Sequence, residues 1–157
     1  MKNLLKDILN SPQFTEGSAW KRKRYNANDI VVKEGELGAS LFFVEEGELR
    51  VSRRVGLGEQ KHIQPGVADL KVGAIFGESC LHLTLPRIAT VTAVTESYLV
   101  EVNGERLGIY LDDNPVKGYL FYKKLFDIVI SRLDNANHTV ETLMAWGLKA
   151  HEIDQYL

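Results

Sequence analysis

The spacing of apolar residues divides the chain into three stretches with different periods. In the first ten residues the apolar positions recur with helical spacing, and Ser11 followed by Pro12 is typical of a further helix start. From Tyr25 to about Val102 the pattern is that of short β-strands. After Asn103 the spacing becomes helical again. The order predicted is therefore helices, a β region and then helices.

Short strands separated by turn residues fill the central stretch. "DIVVKEG" is a short apolar run closed by a glycine, and "SLFFVEEGELRVSRR" predicts two strands around a turn. "GLGEQKHIQPG" predicts a loop or hairpin, and "IATVTAV" and "SYLVEVN" predict two further strands. The predicted fold class is mainly β with flanking helices. It is an antiparallel, jelly-roll-like β-roll, a double-stranded β-helix, with N-terminal helices and a long C-terminal helix.

Two helices are predicted in the C-terminal stretch. Asn103 is placed to cap a short helix through Leu111. Asn114, which precedes a proline, is placed to cap a longer helix. That helix is predicted to run to about Ala145, because Gly147 is typical of a helix end.

Two apolar stripes follow the longer predicted helix. One repeats with alternating spacings of three and four, the heptad pattern of a helix that pairs with another helix. The other continues through Arg132 and Asn135. Because two apolar faces need two partners, we expect the second stripe to pack on the β-roll and the heptad seam to form a homodimer. In the alternative, the seam packs on its own domain. The seam is Tyr119, Tyr122, Phe126, Val129, Leu133, Ala136, Val140 and Leu143, and the second stripe is Phe121, Leu125 and Ile128.

Composition and charge narrow the class of protein. A chain of 157 residues with 45% hydrophobic and 25% charged residues fits one globular domain with an appended helix. The net charge of -2 does not attract nucleic acid, and the isolated basic run 21–24 is expected to be a solvated turn before the first strand. No run approaches the roughly 20 apolar residues of a membrane span. We expect a cytoplasmic protein with no nucleic-acid or membrane partner.

The segment "FGESCLHLTLPRIATV" carries the candidate chemistry. Gly77 allows a tight turn, and a helical turn starting near Glu78 would leave the N–H groups of Ser79 and Cys80 as free donors for an anion. Arg87 could return to the same place, where its planar guanidinium matches a phosphate. An ionised carboxylate only accepts hydrogen bonds and so suits a sugar hydroxyl. In the alternative interpretation Glu78 and Arg87 form a structural ion pair.

This segment resembles the phosphate-binding cassette of cyclic-nucleotide-binding domains, above all that of the regulatory subunits of cAMP-dependent protein kinase. The family pattern is Gly-Glu, small and apolar residues, then Pro-Arg-Ala-Ala-Thr-Val, and here the second part reads "PRIATV". "VVKEGELGASLFFVEEGELRV" resembles the family's opening strands, with Gly35 and Gly47 at its structural glycines. The resemblance covers roughly residues 25 to 137. It implies a β-roll with a helical lead-in and a closing pair of helices.

The resemblance also implies a role for each cassette residue. Glu78 would accept a hydrogen bond from the ribose 2′-hydroxyl, and Arg87 would pair with the cyclic phosphate. The backbone amides of Cys80 and Ile88 would bind phosphate oxygens, while neighbouring residues shape the turn. The candidate ligand-binding residues are Phe76, Gly77, Glu78, Ser79, Cys80, Arg87, Ile88 and Ala89, with Arg132 and Asn135 from the long helix.

Two departures from the family pattern bear on the base of the nucleotide. Many cGMP-preferring members have Thr or Ser after the cassette arginine, and here the residue is Ile88, which favours cAMP over cGMP as the ligand. The closing helix is about a turn longer before its Arg-Leu pair than in bacterial transcription-factor members. Helical spacing aims Arg132 and Asn135 at the roll, so they are the candidates for capping the base.

No catalytic or metal-binding arrangement is expected. The four histidines lack metal-ligand spacing, and Cys80, as the sole cysteine, has no partner for a disulfide or a zinc site. A cupin-like metalloenzyme is the least favoured alternative, and a nucleotide-free interaction or dimerisation domain is the other. We expect a non-enzymatic cyclic-nucleotide sensor that acts on an unknown downstream protein through its C-terminal helices. Its predicted parts are a helical lead-in (1–24), the binding domain (25–137) and a helical tail (138–157).

Overall fold

The computed structural model describes residues 1–56, 62–63, 66–81 and 84–150. A helix, α1 (Lys2–Leu9), precedes the β region, and two helices, α2 (Gly104–Asp113) and α3 (Pro115–Ala150), follow it. Most of the predicted "GLGEQKHIQPG" loop and the end of the predicted tail lie outside the described residues. The strands are β1 (Trp20–Tyr25), β2 (Ile30–Val32), β3 (Leu37–Gly38), β4 (Ser40–Glu46), β5 (Leu49–Ser52), β6 (Val55–Gly56), β7 (His62–Ile63), β8 (Gly66–Leu70), β9 (Ile75–Phe76), β10 (Leu85–Pro86), β11 (Thr90–Ala93) and β12 (Ser97–Asn103).

Two antiparallel sheets form the roll. Among the described residues, one sheet has the order β1-β12-β4-β9 and the other β2-β11-β5-β8. The chain passes from one sheet to the other between β4 and β5, at Gly47, whose φ of +90° only glycine adopts readily. One apolar cluster fills the roll, and a second lies between the first sheet and the helices. The predicted mainly β roll with flanking helices is confirmed.

The segment after α1 differs from the prediction. No helix starts at Ser11; turns follow α1, with the N–H of Phe14 bonded to the carbonyl of Ser11. Phe14 is buried with its ring 5.3 Å from that of Tyr110, and Trp20 donates its indole N–H to the carbonyl of Phe14 at 3.0 Å. These long-range contacts outweigh the local proline signal. The expected second N-terminal helix is therefore wrong.

The basic run is also placed differently from the prediction, because it lies within β1 and not in a turn. β1 is an edge strand paired with β12. Arg22 pairs with Glu45 of β4 at 3.0 Å, Lys23 pairs with Glu101 of β12 at 2.7 Å, and Arg24 pairs with an acid that directly precedes β12. These acids, contributed by other parts of the same sheet, let a strand of four cations lie at its edge.

The C-terminal helices follow the prediction only in part. Asn103 caps α2, as predicted, by accepting a bond from the N–H of Arg106 at 2.9 Å. Asn114 does not cap α3 with its side chain, which donates to the carbonyl of Tyr110 at 2.8 Å. Gly147 does not end α3, which continues through Ala150. An interior glycine costs a helix only about 1 kcal/mol, which the rest of a long helix can offset.

The two stripes of α3 have different surroundings. Phe121 and Leu125 are buried in the cluster between the helices and the first sheet, so the second stripe packs on its own domain as predicted. The heptad seam is exposed, with Phe126 64% and Val140 55% accessible. Pairing of the seam with a second copy stays a prediction. In the described part of the chain, no helix is long and apolar enough to cross a membrane.

Candidate functional site

A tight turn after β9 opens the site. Gly77 has a φ of +80°, and a single 3-10 turn, Glu78–Leu81, follows it as predicted. The N–H of Cys80 donates to the carbonyl of Gly77 at 3.2 Å, closing the turn. The expectation that this N–H is a free donor for an anion is therefore wrong, because the i→i−3 bond of a 3-10 turn uses it.

Arg87 is seated beside this turn. Its Nη2 donates to the carbonyl of Ser40 at 2.7 Å, and its guanidinium lies 5.7 Å from the centroid of the Phe42 ring. Two glycines make room for it: a Cβ at Gly38 would lie 1.9 Å from Nε, and one at Gly77 would lie 2.7 Å from Nη1. The backbone thus forms a close-fitting seat that fixes the direction of the guanidinium.

The second terminal nitrogen of Arg87, Nη1, is free to donate hydrogen bonds. Nη1 is buried and has no hydrogen-bond partner among the described residues. A buried cationic N–H without an acceptor is costly, and an anion supplies both the missing acceptor and the missing charge. The site can therefore bind an anionic oxygen next to Gly77.

Glu78 and Arg87 do not pair with each other, so the structural ion-pair alternative is wrong. Glu78 instead accepts from Nη1 of Arg132 at 3.0 Å, and Arg132 also donates to the carbonyl of Ile75. The Arg132 and Glu78 side chains are 36% and 28% exposed. The predicted inward direction of Arg132 is confirmed, and its contact joins α3 to the turn.

The remaining sequence candidates take different positions around this turn. Phe76 is buried, with its ring stacked on that of Phe42 at 4.9 Å, and Ala89 is buried as well. Ser79 and Asn135 are exposed, and Ile88 is 76% exposed. Arg87, Glu78 and Arg132 are thus brought together at the turn, whereas the exposed Asn135 makes no side-chain hydrogen bond within the described part of the chain.

Cys80 and the acidic residues do not form a reactive or metal-binding centre in the described residues. Burial raises the pKa of the Cys80 thiol to about 11, despite the nearby Arg87, so the thiolate that a nucleophile needs is disfavoured. No group of three or more His, Cys, Asp or Glu side chains in the described part of the chain is placed to hold a metal ion.

Sequence reasoning missed the residues that seat Arg87. Gly38, Ser40 and Phe42 come from β3 and β4, more than forty positions before the arginine. Ser40 contributes a backbone carbonyl, and a pattern of side chains cannot predict such a contact. The one available signal is the short Gly-Ala-Ser stretch before "LFFV", where Gly38 permits a close approach.

Comparison with known proteins identifies the family of the chain. The family model of the cyclic nucleotide-binding domain matches residues 22–114. The cAMP-dependent protein kinase regulatory subunit of Eremothecium gossypii is 39% identical over 93 residues, which are 59% of this chain and 19% of that protein. The chain therefore spans about a fifth of the length of that relative.

Solved structures show the same fold. The Thermus thermophilus catabolite activator protein matches 85% of this chain and 63% of its own, with a TM-score of 0.63 and 26% identity. The regulatory domain of Toxoplasma gondii PKA, crystallised with cAMP, matches 68% of this chain and 39% of its own, with a TM-score of 0.52 and 25% identity. The chain belongs to the cyclic nucleotide-binding domain family.

Proposed function

We propose that the protein is a cAMP sensor that signals through movement of α3. The observation that carries this proposal is the buried Nη1 of Arg87, which lacks an acceptor beside Gly77. A cyclic phosphate brings one negative charge and exposed oxygens, so it can satisfy that nitrogen without displacing Nη2 from Ser40.

Residues beside Arg87 are proposed to contact the sugar and the base of the nucleotide. Glu78 has carboxylate oxygens that can accept from a ribose hydroxyl. Ile88, next to Arg87 and 76% exposed, offers an apolar contact and no hydrogen bond to a guanine amino group. This favours cAMP over cGMP, in line with the Eremothecium relative named for cAMP and the Toxoplasma structure that contains it.

Coupling to α3 follows from the shared use of Glu78. The carboxylate that would accept the ribose hydroxyl is bonded to Arg132 of α3 at 3.0 Å. A ribose at Glu78 competes with that bond, so nucleotide would favour a state in which α3 has left the turn. Such a ligand shifts the equilibrium by its differential affinity for the two states.

Titration calorimetry with cAMP and cGMP tests the ligand assignment. Wild type should bind cAMP more tightly than cGMP, and Arg87→Ala should bind cAMP at least about a hundredfold more weakly, the loss of about two charge-assisted bonds. Arg53→Ala, which removes an exposed cation of the same roll, is the matched control. The proposal is refuted if wild type binds neither nucleotide at high micromolar concentration.

The exposed heptad seam is proposed to pair with a second copy of the chain. It leaves large apolar side chains in solvent along several turns of α3, and its spacing is that of paired helices. Val140→Asp should convert a dimer to a monomer in light scattering, whereas Glu141→Lys on another face of α3 should not. A monomeric wild type would refute the pairing. A dimer that binds no nucleotide would support the interaction-domain alternative.

A further inference from the structure

The seat of Arg87 depends on the placement of Ser40. The carbonyl of Ser40 accepts from Nη2 at 2.7 Å, so its position sets where the other terminal nitrogen points. Ser40 is the first residue of β4, and it follows Gly38 of β3 by two positions. The pairing of β4 with β12 holds the backbone of Ser40 opposite Asn103, and any further bond to Ser40 also constrains the carbonyl that the guanidinium uses.

A side-chain bond from a third strand holds Ser40. Its Oγ donates to Oε1 of Glu101 at 3.0 Å, and Glu101 lies on β12, which pairs with β4. The Glu101 side chain is only 16% exposed, so the bond is shielded from water. A hydrogen bond to a charged acceptor is stronger than a neutral one.

Two lysines of β1 keep Glu101 charged and in place. Lys23 and Lys21 bring their Nζ atoms to 2.7 Å and 3.4 Å from Oε2, the oxygen that Ser40 does not use. Burial alone would raise the pKa of Glu101, but the close contact of Lys23, the hydrogen bond from Ser40 and the charges of both lysines together outweigh it and lower that pKa. The carboxylate is thus a fixed anion between β1 and β4.

We propose that Glu101 is a positioning residue for anion binding: through Ser40 it aims the guanidinium of Arg87 at the phosphate. The proposal rests on the proposed function for its ligand. Glu101 lies on β12, outside the cassette, whereas Arg87 directly follows β10. The chain of contacts runs from β1 through Glu101 and the hydroxyl of Ser40 to its carbonyl and the guanidinium.

Ser40→Ala tests this chain, because it removes the hydroxyl and keeps the carbonyl. We expect cAMP affinity to fall about tenfold, the factor that one hydrogen bond to a charged group accounts for. Ser40→Thr, which keeps a hydroxyl, should restore most of it. Glu101→Gln keeps a weaker, neutral acceptor for that hydroxyl and should lower the affinity by a smaller factor than Ser40→Ala. Glu45→Gln, which breaks another ion pair of β1, is the matched control and should bind normally.

Two readouts separate positioning from general loss of structure. The first is the ratio of affinities for cAMP and its analogue with sulfur in place of one exocyclic phosphate oxygen. Misaiming Arg87 should shrink that ratio in Ser40→Ala, whereas a merely structural defect lowers both affinities equally. The second is the Nε–H resonance of Arg87 in ligand-free protein, which should change in Ser40→Ala and not in Glu45→Gln.

The outcomes distinguish this inference from the proposed function. A wild type that binds no cyclic nucleotide refutes the function, while the ligand-free Arg87 resonance still decides whether Glu101 positions the guanidinium. The inference is overturned if Ser40→Ala leaves that resonance as in wild type. It is equally overturned if wild type binds cAMP and Ser40→Ala loses affinity for both ligands by the same factor.

Discussion

Gly38→Ala should remove anion binding while leaving the fold intact. A Cβ at position 38 would lie 1.9 Å from Nε, 2.2 Å from Cζ and 2.6 Å from Nη2 of Arg87. Since non-bonded carbon and nitrogen atoms approach to about 3.5 Å, the guanidinium must move by about 1.6 Å or more. The atoms that it meets are the far end of a flexible side chain and not backbone, so the strand can stay where it is.

The free-energy balance separates stability from binding. Moving the guanidinium breaks the 2.7 Å bond to Ser40, worth about 1–2 kcal/mol to the folded state, whereas replacing glycine in a strand returns about 0.5–1 kcal/mol. The net change in the free energy of unfolding should therefore stay within about 1.5 kcal/mol. Loss of one or two charge-assisted bonds to phosphate should weaken binding by about ten- to a thousandfold.

Calorimetry with cAMP and urea unfolding measure the two quantities on the same protein. Gly108→Ala is the control, because no atom lies within 4 Å of its added Cβ. It should leave affinity unchanged and stabilise α2 slightly. If Gly38→Ala binds cAMP within about twofold of wild type while remaining folded, the seat of Arg87 is not the phosphate site and the reasoning fails.

Three further predictions concern the contact of α3 with the turn, the β4–β5 crossing and stability in acid. Arg132→Ala should speed hydrogen exchange in α3 beyond residue 126 without changing exchange in the roll, because it removes the bond to Glu78. Unchanged exchange would mean that this bond does not hold α3 against the turn. Gly47→Ala should lower the urea midpoint strongly, because φ is +90° and the new Cβ would lie 2.5 Å from the carbonyl of Glu96; a small effect would mean that the crossing relaxes. Glu101 has a lowered pKa, so its stabilisation is present above its ordinary pKa and lost as pH falls through the lowered value. Glu101→Gln should therefore flatten the acid side of the stability profile, and a profile parallel to wild type would contradict this.

The sequence predicted those parts of the fold that depend on local pattern. The turn at Gly77 and Glu78, the cap at Asn103 and the inward stripe of α3 all follow from residue type and spacing within a few positions. The stripe also aimed Arg132 at the roll, because helical periodicity carries direction along a rigid element.

Local signals failed where distant residues decide the outcome. The proline after Ser11 favours a helix start, yet burial of Phe14 against Tyr110 holds that segment in turns. The run of cations at 21–24 looks like a solvated turn, yet acids on β4 and β12 make it an edge strand. In both cases the observed conformation is stabilised by contacts with residues far along the chain.

The sequence by itself determined the candidate groups for binding a cyclic nucleotide, because the cassette keeps Glu78, Arg87 and the glycine between β9 and the turn close in one segment. Only the tertiary structure decided how those groups are used. It placed the carbonyl of Ser40 against one terminal nitrogen of Arg87, left the other without an acceptor, and bonded Glu78 to Arg132. A backbone carbonyl carries no residue signature, and a contact between residues 78 and 132 exists only once α3 packs on the roll.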